Sequence, residues 1–561
     1  VGRVPGRRAS GYTWVGGTVT FRSLVRPPSW RLLLPATMAP VVETALLRAL
    51  GAREASSLGP QVTALPPFDL FHDLRWISTY HDSWPVLALE VVAAIALRSA
   101  WVAWAVHVSW PTAERPPMPK AALRAATFYA LAVLLLLPWV LLLFGMALTH
   151  LSDLFFAGLP PAVAVAGLLC SGAFRQAVGG WWRWAPSLRA LALAGATFLM
   201  LTTAGALIAS APVPAAVLVA AVAGAANAWI VSSLVGSIAG ERTTSWRRHV
   251  LVPVALATTF AVALGGAALG FRVNRTPAAA GIAVRLPAHA EGRPVLVVSG
   301  FASRWTLTVP FVLPSGFVAW RYSYRGMQGR TMLPYAPSDT LQPLRVSADR
   351  MAAQVAALHD AYGGPVTIVA ESEGAMVARD YLLERYRPES REVTMLIVLD
   401  MPAGASSVTY PPVGVQGLGV GTGWGLRGLA HVIRWLGHLE VTADAPLLRE
   451  MADCPGLMRR IGTAPPPEGV RQVTIHALAD AVDGPPISTL PPGQAFVIPA
   501  GHGNLLSNPT AQRLVDAVLS GTAPVPPSPL TTRSAAAVAA LAEPWQTPAL
   551  PPSLQIDHGA C

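Results

Sequence analysis

The chain has 561 residues, 53% hydrophobic and only 13% charged, with a formal net charge of +11. A soluble globular domain carries about 25% charged residues, so a wholly water-soluble protein is excluded and part of this chain belongs in lipid. Nucleic-acid binding is excluded as well: the arginines are scattered beside hydrophobic runs rather than gathered with aromatics on one element.

Lys120 is the only lysine. With abundant Ala, Pro and Gly, that bias predicts a GC-rich genome of the actinobacterial kind. It also removes Ser–Lys, Schiff-base and phosphate-loop lysine chemistry, since Lys120 lies in a Pro-rich inter-helix loop. Three cysteines, Cys170, Cys454 and Cys561, exclude a disulfide framework and a Cys-rich zinc site. A single Cys454–Cys561 pair stays open. No metal or cofactor is implied.

Residues 1–83 carry Arg and Pro, show no continuous hydrophobic run, and do not read as a secretory signal. The expectation is an N-terminal region, partly disordered. Met38 is an alternative start that would leave 1–37 untranslated. A membrane-crossing helix needs roughly 20 apolar residues. Five segments supply them: 125–149, 154–174, 190–211, 213–239 and 250–271. A sixth, 84–106, is weaker because it carries Glu90 and Arg98. Charges inside a span are costly, so these two are expected to face partners within the bundle. Trp104, Trp139, Trp181, Trp182 and Trp184 near span ends fit an interfacial aromatic belt. The sequence therefore predicts a transmembrane helical bundle of five or six spans over 84–272.

Orientation follows from the short loops. Arg115, Lys120 and Arg124 precede one span; Arg175, Arg183 and Arg189 precede another; Arg242, Arg247 and Arg248 precede the last. The intervening loops, 150–153 and 212, have no Arg or Lys. Basic loops face the cytoplasm, which predicts a multi-pass protein of the cell membrane whose part beyond 272 is extracytoplasmic.

From about residue 290 short apolar runs alternate with amphipathic helices, the pattern of a mostly parallel sheet with crossover helices. Strands are expected at 294–299, 317–320, 366–369, 393–399, 473–478 and 495–498. A helix over 347–361 should stop at Gly363-Gly364. The strand Val366-Thr-Ile-Val369 runs straight into Ala370-Glu371-Ser372-Glu373-Gly374, and a helix follows. This is the layout of a nucleophile elbow. The serine sits on a sharp turn above the sheet, so the positions two residues either side must be small, as Ala370 and Gly374 are.

An acid and a histidine should follow in that order. Asp480 comes after the strand 473–478, and His502 after the strand 495–498. His502 would take the proton from Ser372. The acid would orient the imidazole and stabilise its cation. Asp480 is the first choice for the acid; Asp483 and Asp400 remain alternatives. His359 and His476 fall within a helix and a strand and read as structural. Two backbone N–H groups should face the developing oxyanion. Glu373 would supply one and Phe301 the other, with Ala302 as its alternative. Glu371 and Glu373 would make the mouth acidic and disfavour anionic substrates, unless their side chains turn into helix-terminal hydrogen bonds.

Taken together, Ser-Gly-Phe at 299–301, Tyr-Arg-Gly at 324–326, Ala-Glu-Ser-Glu-Gly, Asp-x-Val at 480–482 and Gly-His-Gly at 501–503 resemble the α/β-hydrolase superfamily, especially its lipase and esterase branch. The resemblance covers under half of the chain. It implies an α/β-hydrolase domain over 273–521 with a helical lid insertion at about 403–470. The departures are Ala370 where Gly is common, the absence of His-Gly before the first loop, and the two glutamates flanking Ser372. Within the insertion, 426–439 reads as an amphipathic helix. Leu429, Val432, Ile433 and Leu436 lie on one side; Arg427, His431, Arg434 and His438 lie on the other. Such a helix either packs over the active site or lies on an anionic membrane surface. Residues 522–561 are rich in Pro, Ala and Ser, a composition that predicts disorder.

The expected activity is a membrane-anchored serine ester hydrolase working through an acyl-enzyme on a lipid-like or envelope ester, with membrane lipid as its other partner. Acyl transfer by the same three residues and a non-catalytic membrane protein with a degenerate hydrolase domain are the alternatives.

Overall fold

The structure is a computed structural model. It describes residues 27–111, 115–145, 169, 171–179, 188–240, 281–306, 312–402, 419–437, 444–479, 494–501, 503, 505–525, 528, 530, 533–534, 537, 541 and 543–545.

The N-terminal half is helical: α1 Trp30–Ala49, α2 Phe68–Tyr80, α3 Trp84–Ser109, α4 Met118–Gly145, α5 Gly172–Val178, α6 Leu188–Ser210 and α7 Val213–Gly240. Four described helices are long and apolar enough to cross a membrane: Trp30–Ala49, Trp84–Ser109, Arg189–Ser210 and Val213–Ala239. The segment expected at 125–149 is helical as far as Gly145. Most of 154–174 and all of 250–271 lie outside the described residues. Trp30–Ala49 is the addition. Pro35 and Pro40 lie inside it and interrupt the pattern when the sequence is read alone. Packing restores the helix: α1 lies against α7, where a Cβ on Gly224 would come 2.4 Å from the Ala36 carbonyl oxygen.

Arg98 finds its partner on α2, a helix in the region expected to precede the bundle. Its Nε donates to Asp73 Oδ2 at 2.6 Å, and a second nitrogen donates to Asp73 Oδ1. His72 is held between Glu43 at 2.8 Å and Asp73 at 3.0 Å. A buried charge persists only when it is paired, so α2 belongs to the bundle. The tail departs from its composition at Glu543–Trp545. The Pro544 carbonyl accepts from Gln61 Nε2 and Arg75, both at 2.8 Å. The Trp545 ring stacks on Phe198 at 5.0 Å, and its Nε1 donates to Thr202.

The C-terminal half is α/β. Beside a small antiparallel sheet of Val284–Arg285, Met327–Gln328 and Thr331–Met332, its main strands are β1 Arg293–Val298, β2 Phe317–Arg321, β3 Val366–Glu371, β4 Val393–Leu399, β5 Arg471–Ala479 and β6 Ala495–Gly501. They form one parallel sheet in the order β2-β1-β3-β4-β5-β6. Its central strands are buried on both faces, as parallel sheets are. One face is covered by α8 (Leu344–Tyr362), α9 (Glu373–Glu384), α11 (Pro446–Asp453) and α12 (Pro455–Thr463). The other is covered by α13 (Pro509–Leu519). Gly363 ends α8 at φ +62, in the left-handed region.

The insertion after β4 is helical, and its first helix, α10 (Val420–Gly437), packs against α4, α2 and α3. The expected lid helix is therefore seated on the helical half. Gly421 N–H donates to His81 Nε2 at 2.7 Å, and Thr422 Oγ1 donates to the Ser78 carbonyl at 2.7 Å. Glycine permits this approach: a Cβ on Gly421 would lie 2.5 Å from Leu87 Cδ2.

Candidate active site

Ser372 stands between β3 and α9 with φ 55 and ψ −125. A non-glycine residue rarely adopts that conformation, and such strain clusters at functional sites. Ser372 N–H donates to the Leu399 carbonyl at 2.9 Å, which ties the turn to the neighbouring strand. The side chain is nearly buried, at 8% exposure. The demand for small neighbours is visible at Gly374, where a Cβ would meet Val298 Cγ1 and the Val298 carbonyl oxygen, both at 2.8 Å.

The loop after β1 lies directly over the serine. A Cβ on Gly300 would come 2.7 Å from Ser372 Cβ and 3.1 Å from its Oγ. Ala302 has φ 55, and its N–H is taken by Thr340 Oγ1 at 2.9 Å. That removes Ala302 as a free donor. The N–H groups of Phe301 and Glu373 have no acceptor among the described residues. The loop is pinned from β2: Arg321 donates to Thr306 Oγ1 at 2.6 Å, to the Arg304 carbonyl at 2.8 Å and to Ser299 Oγ at 3.2 Å. Tyr324 OH donates to the Ser299 carbonyl at 2.7 Å. Sequence reading missed Arg321 and Thr340 because nothing local links them to the loop they hold.

The two glutamates beside Ser372 do not acidify an open mouth; both are turned inward. Glu373 is 3% exposed, and its two carboxyl oxygens have no hydrogen-bond partner among the described residues. Burial pushes its pKa well above the usual carboxylate range, favouring the protonated form. Glu371 is 6% exposed, and its Oε1 accepts Leu505 N–H at 2.7 Å and Leu506 N–H at 3.2 Å.

Of the three candidate acids only Asp400 is among the described residues. It follows β4 at φ 47 and is 1% exposed. Its N–H donates to the Ile475 carbonyl at 3.0 Å, and its Oδ1 accepts Ala477 N–H. Asp480, Asp483 and His502 lie outside the described residues. The strands that lead to them, β5 and β6, end at Ala479 and Gly501, on the same edge of the sheet as Ser372. His359 Nδ1 meets the Gly364 carbonyl at 3.0 Å, closing the end of α8; His476 is buried in β5. Among the described residues no cluster of His, Cys, Asp or Glu could hold a metal ion.

No protein-family profile matches the chain, and no curated protein matches it. Among solved structures, "Crystal structure of Aspergillus fumigatus lipase B" aligns with a TM-score of 0.27 at 15% identity. The alignment covers 46% of this chain and 64% of that one.

Proposed function

We propose that the chain is a membrane-anchored serine ester hydrolase of the α/β-hydrolase type. Ser372 attacks the ester carbonyl, His502 takes and returns the proton, and Asp480 orients the imidazole. The N–H groups of Phe301 and Glu373 receive the oxyanion. An acyl-enzyme forms on Ser372 Oγ as the alcohol leaves, and water then releases the acid.

One observation carries this reading. Leu505 reaches back from beyond the end of β6 to Glu371, the residue before Ser372. His502 is three residues ahead of Leu505 in the chain, and consecutive Cα atoms are only 3.8 Å apart. The strained serine and the N–H groups of Phe301 and Glu373, which lack an acceptor among the described residues, support the same chemistry.

The location is part of the proposal: a hydrolase domain on the extracytoplasmic face, acting on a lipid-like or envelope ester. The seat of α10 supports it. Gly421 meets His81 and Leu87 at the start of α3, the end opposite the α3–α4 connection, where Arg115 lies in the loop and Lys120 and Arg124 in the first turns of α4. Cys454 is disulfide-bonded, as suits an oxidising compartment. Replacing Ser372 with Ala should abolish covalent labelling by a fluorophosphonate probe in the full-length, detergent-solubilised protein. Labelling that survives the replacement removes Ser372 as the nucleophile.

A further inference from the structure

We infer that Glu371 is a positioning residue for the reaction proposed above, tying the nucleophile turn to the segment that carries His502. The inference rests on that functional reading and adds a residue to it.

Along β3 the side chains alternate between the two faces of the sheet. Ile368 and Ala370 join the core under α8 and α9; Val369 joins the opposite core under α13. Glu371 is next in register on that second face, where Leu399, Leu505 and Leu506 are apolar neighbours in the same core. A carboxylate in such a place is costly unless its oxygens are hydrogen-bonded. A hydrocarbon side chain would fill the position at less cost, so packing does not explain a glutamate here.

Its contacts do. Leu505 and Leu506 open a 3-10 turn, Leu505–Ser507. The first N–H groups of a helical turn have no partner within it, and a carboxylate is a strong acceptor for them. One residue further on, Asn508 Oδ1 accepts Thr510 N–H at 2.8 Å and Ala511 N–H at 3.2 Å, capping α13. Two successive caps therefore fix the chain from 505 to the start of α13. The first cap comes from the residue adjacent to Ser372, so the nucleophile and the anchor of the His502 segment share one rigid strand end. Displacing a catalytic group by about 1 Å can cost on the order of a hundredfold in rate.

The test uses the full-length protein in detergent and compares wild type with Glu371→Ala, Glu371→Gln and Glu371→Asp. Readouts are the fluorophosphonate labelling rate, kcat and KM on a p-nitrophenyl ester, and thermal unfolding. Gln keeps the reach and the acceptor oxygen; Asp keeps the charge but shortens the arm. Positioning predicts that Ala lowers kcat and the labelling rate about a hundredfold with KM little changed, that Gln restores most of the loss, and that Asp does not. Wild-type labelling in Ala overturns the inference. Should Ala fail to fold, the order of Gln and Asp decides: Gln above Asp supports positioning, and Asp equal to or above Gln overturns it. A wild-type protein that is not labelled, or whose labelling survives Ser372→Ala, defeats the functional reading instead, so the two failures are distinct.

Discussion

The imidazole of His81 accepts the backbone N–H of Gly421 through Nε2 at 2.7 Å, while its Nδ1 lies 2.6 Å from the Ile77 carbonyl. A carbonyl can only accept, so Nδ1 carries the proton and Nε2 is bare: the joint between α10 and the helical half needs neutral histidine. Burial holds the His81 pKa below its ordinary value, against smaller opposing effects of the Ile77 hydrogen bond and the Asp82 carboxylate. A depressed histidine pKa means that the docked state binds fewer protons than the free one. Its stabilisation is then complete above about pH 6.5, the free value, and is lost as pH falls toward the docked value. The protection of the Gly421 and Thr422 amides, taken against their intrinsic exchange rates at each pH, should fall on acidification through that window. Unchanged protection down to pH 4 would refute the assignment.

Gly300 has no room for a side chain beside Ser372. Forcing one in costs roughly 1–3 kcal/mol. Each 1.4 kcal/mol is about tenfold in rate. Gly300→Ala should therefore lower the Tm of the sheet domain by several degrees and slow fluorophosphonate labelling on the order of tenfold or more where the strain is relieved by displacing the Ser372 turn. Labelling at the wild-type rate would show that the loop yields freely.

Arg321 holds the loop after β1 through Thr306, Arg304 and Ser299. Hydrogen bonds to a charged group contribute about 1.5–3 kcal/mol each. Arg321→Met should lower the Tm of the sheet domain and slow labelling in parallel. Arg321→Lys should rescue little, because an ammonium cannot reproduce the planar fork. Full rescue by Lys would reduce the role of Arg321 to charge alone.

Glu373 is a buried acid without hydrogen-bond partners among the described residues, with its pKa raised by burial. The folded protein keeps a proton that the unfolded chain releases near pH 4.3. The Glu373 contribution is therefore intact below that pH and is lost as pH rises toward the raised folded value. Glu373→Gln should abolish this loss, giving a Tm gain over wild type that is larger at pH 8 than at pH 4. A difference that does not change with pH would mean that folding leaves the Glu373 pKa unshifted.

Ile282 is exposed at the start of the described sheet domain. In a variant without other free thiols, Ile282→Cys should react with a membrane-impermeant maleimide in intact cells. Reaction only after lysis would reverse the proposed orientation.

The six strands, the helix stop at Gly363 and the strained serine were all legible in the residue order, because each rests on interactions a few residues apart. Periodicity reports burial, and a Val/Ile run meeting small residues around a serine reports a turn. The partners of the buried charges were not legible. Arg98 pairs with Asp73, 25 residues away; Glu371 caps Leu505, 134 residues away; His81 meets Gly421, 340 residues away. Each is a polar group whose burial demands a partner without saying where in the chain it lies. The same limit hid α1, whose prolines obscure a pattern that packing against α7 restores, and the seating of α10. An amphipathic helix specifies that its apolar face must be covered, and only the folded chain decides by what.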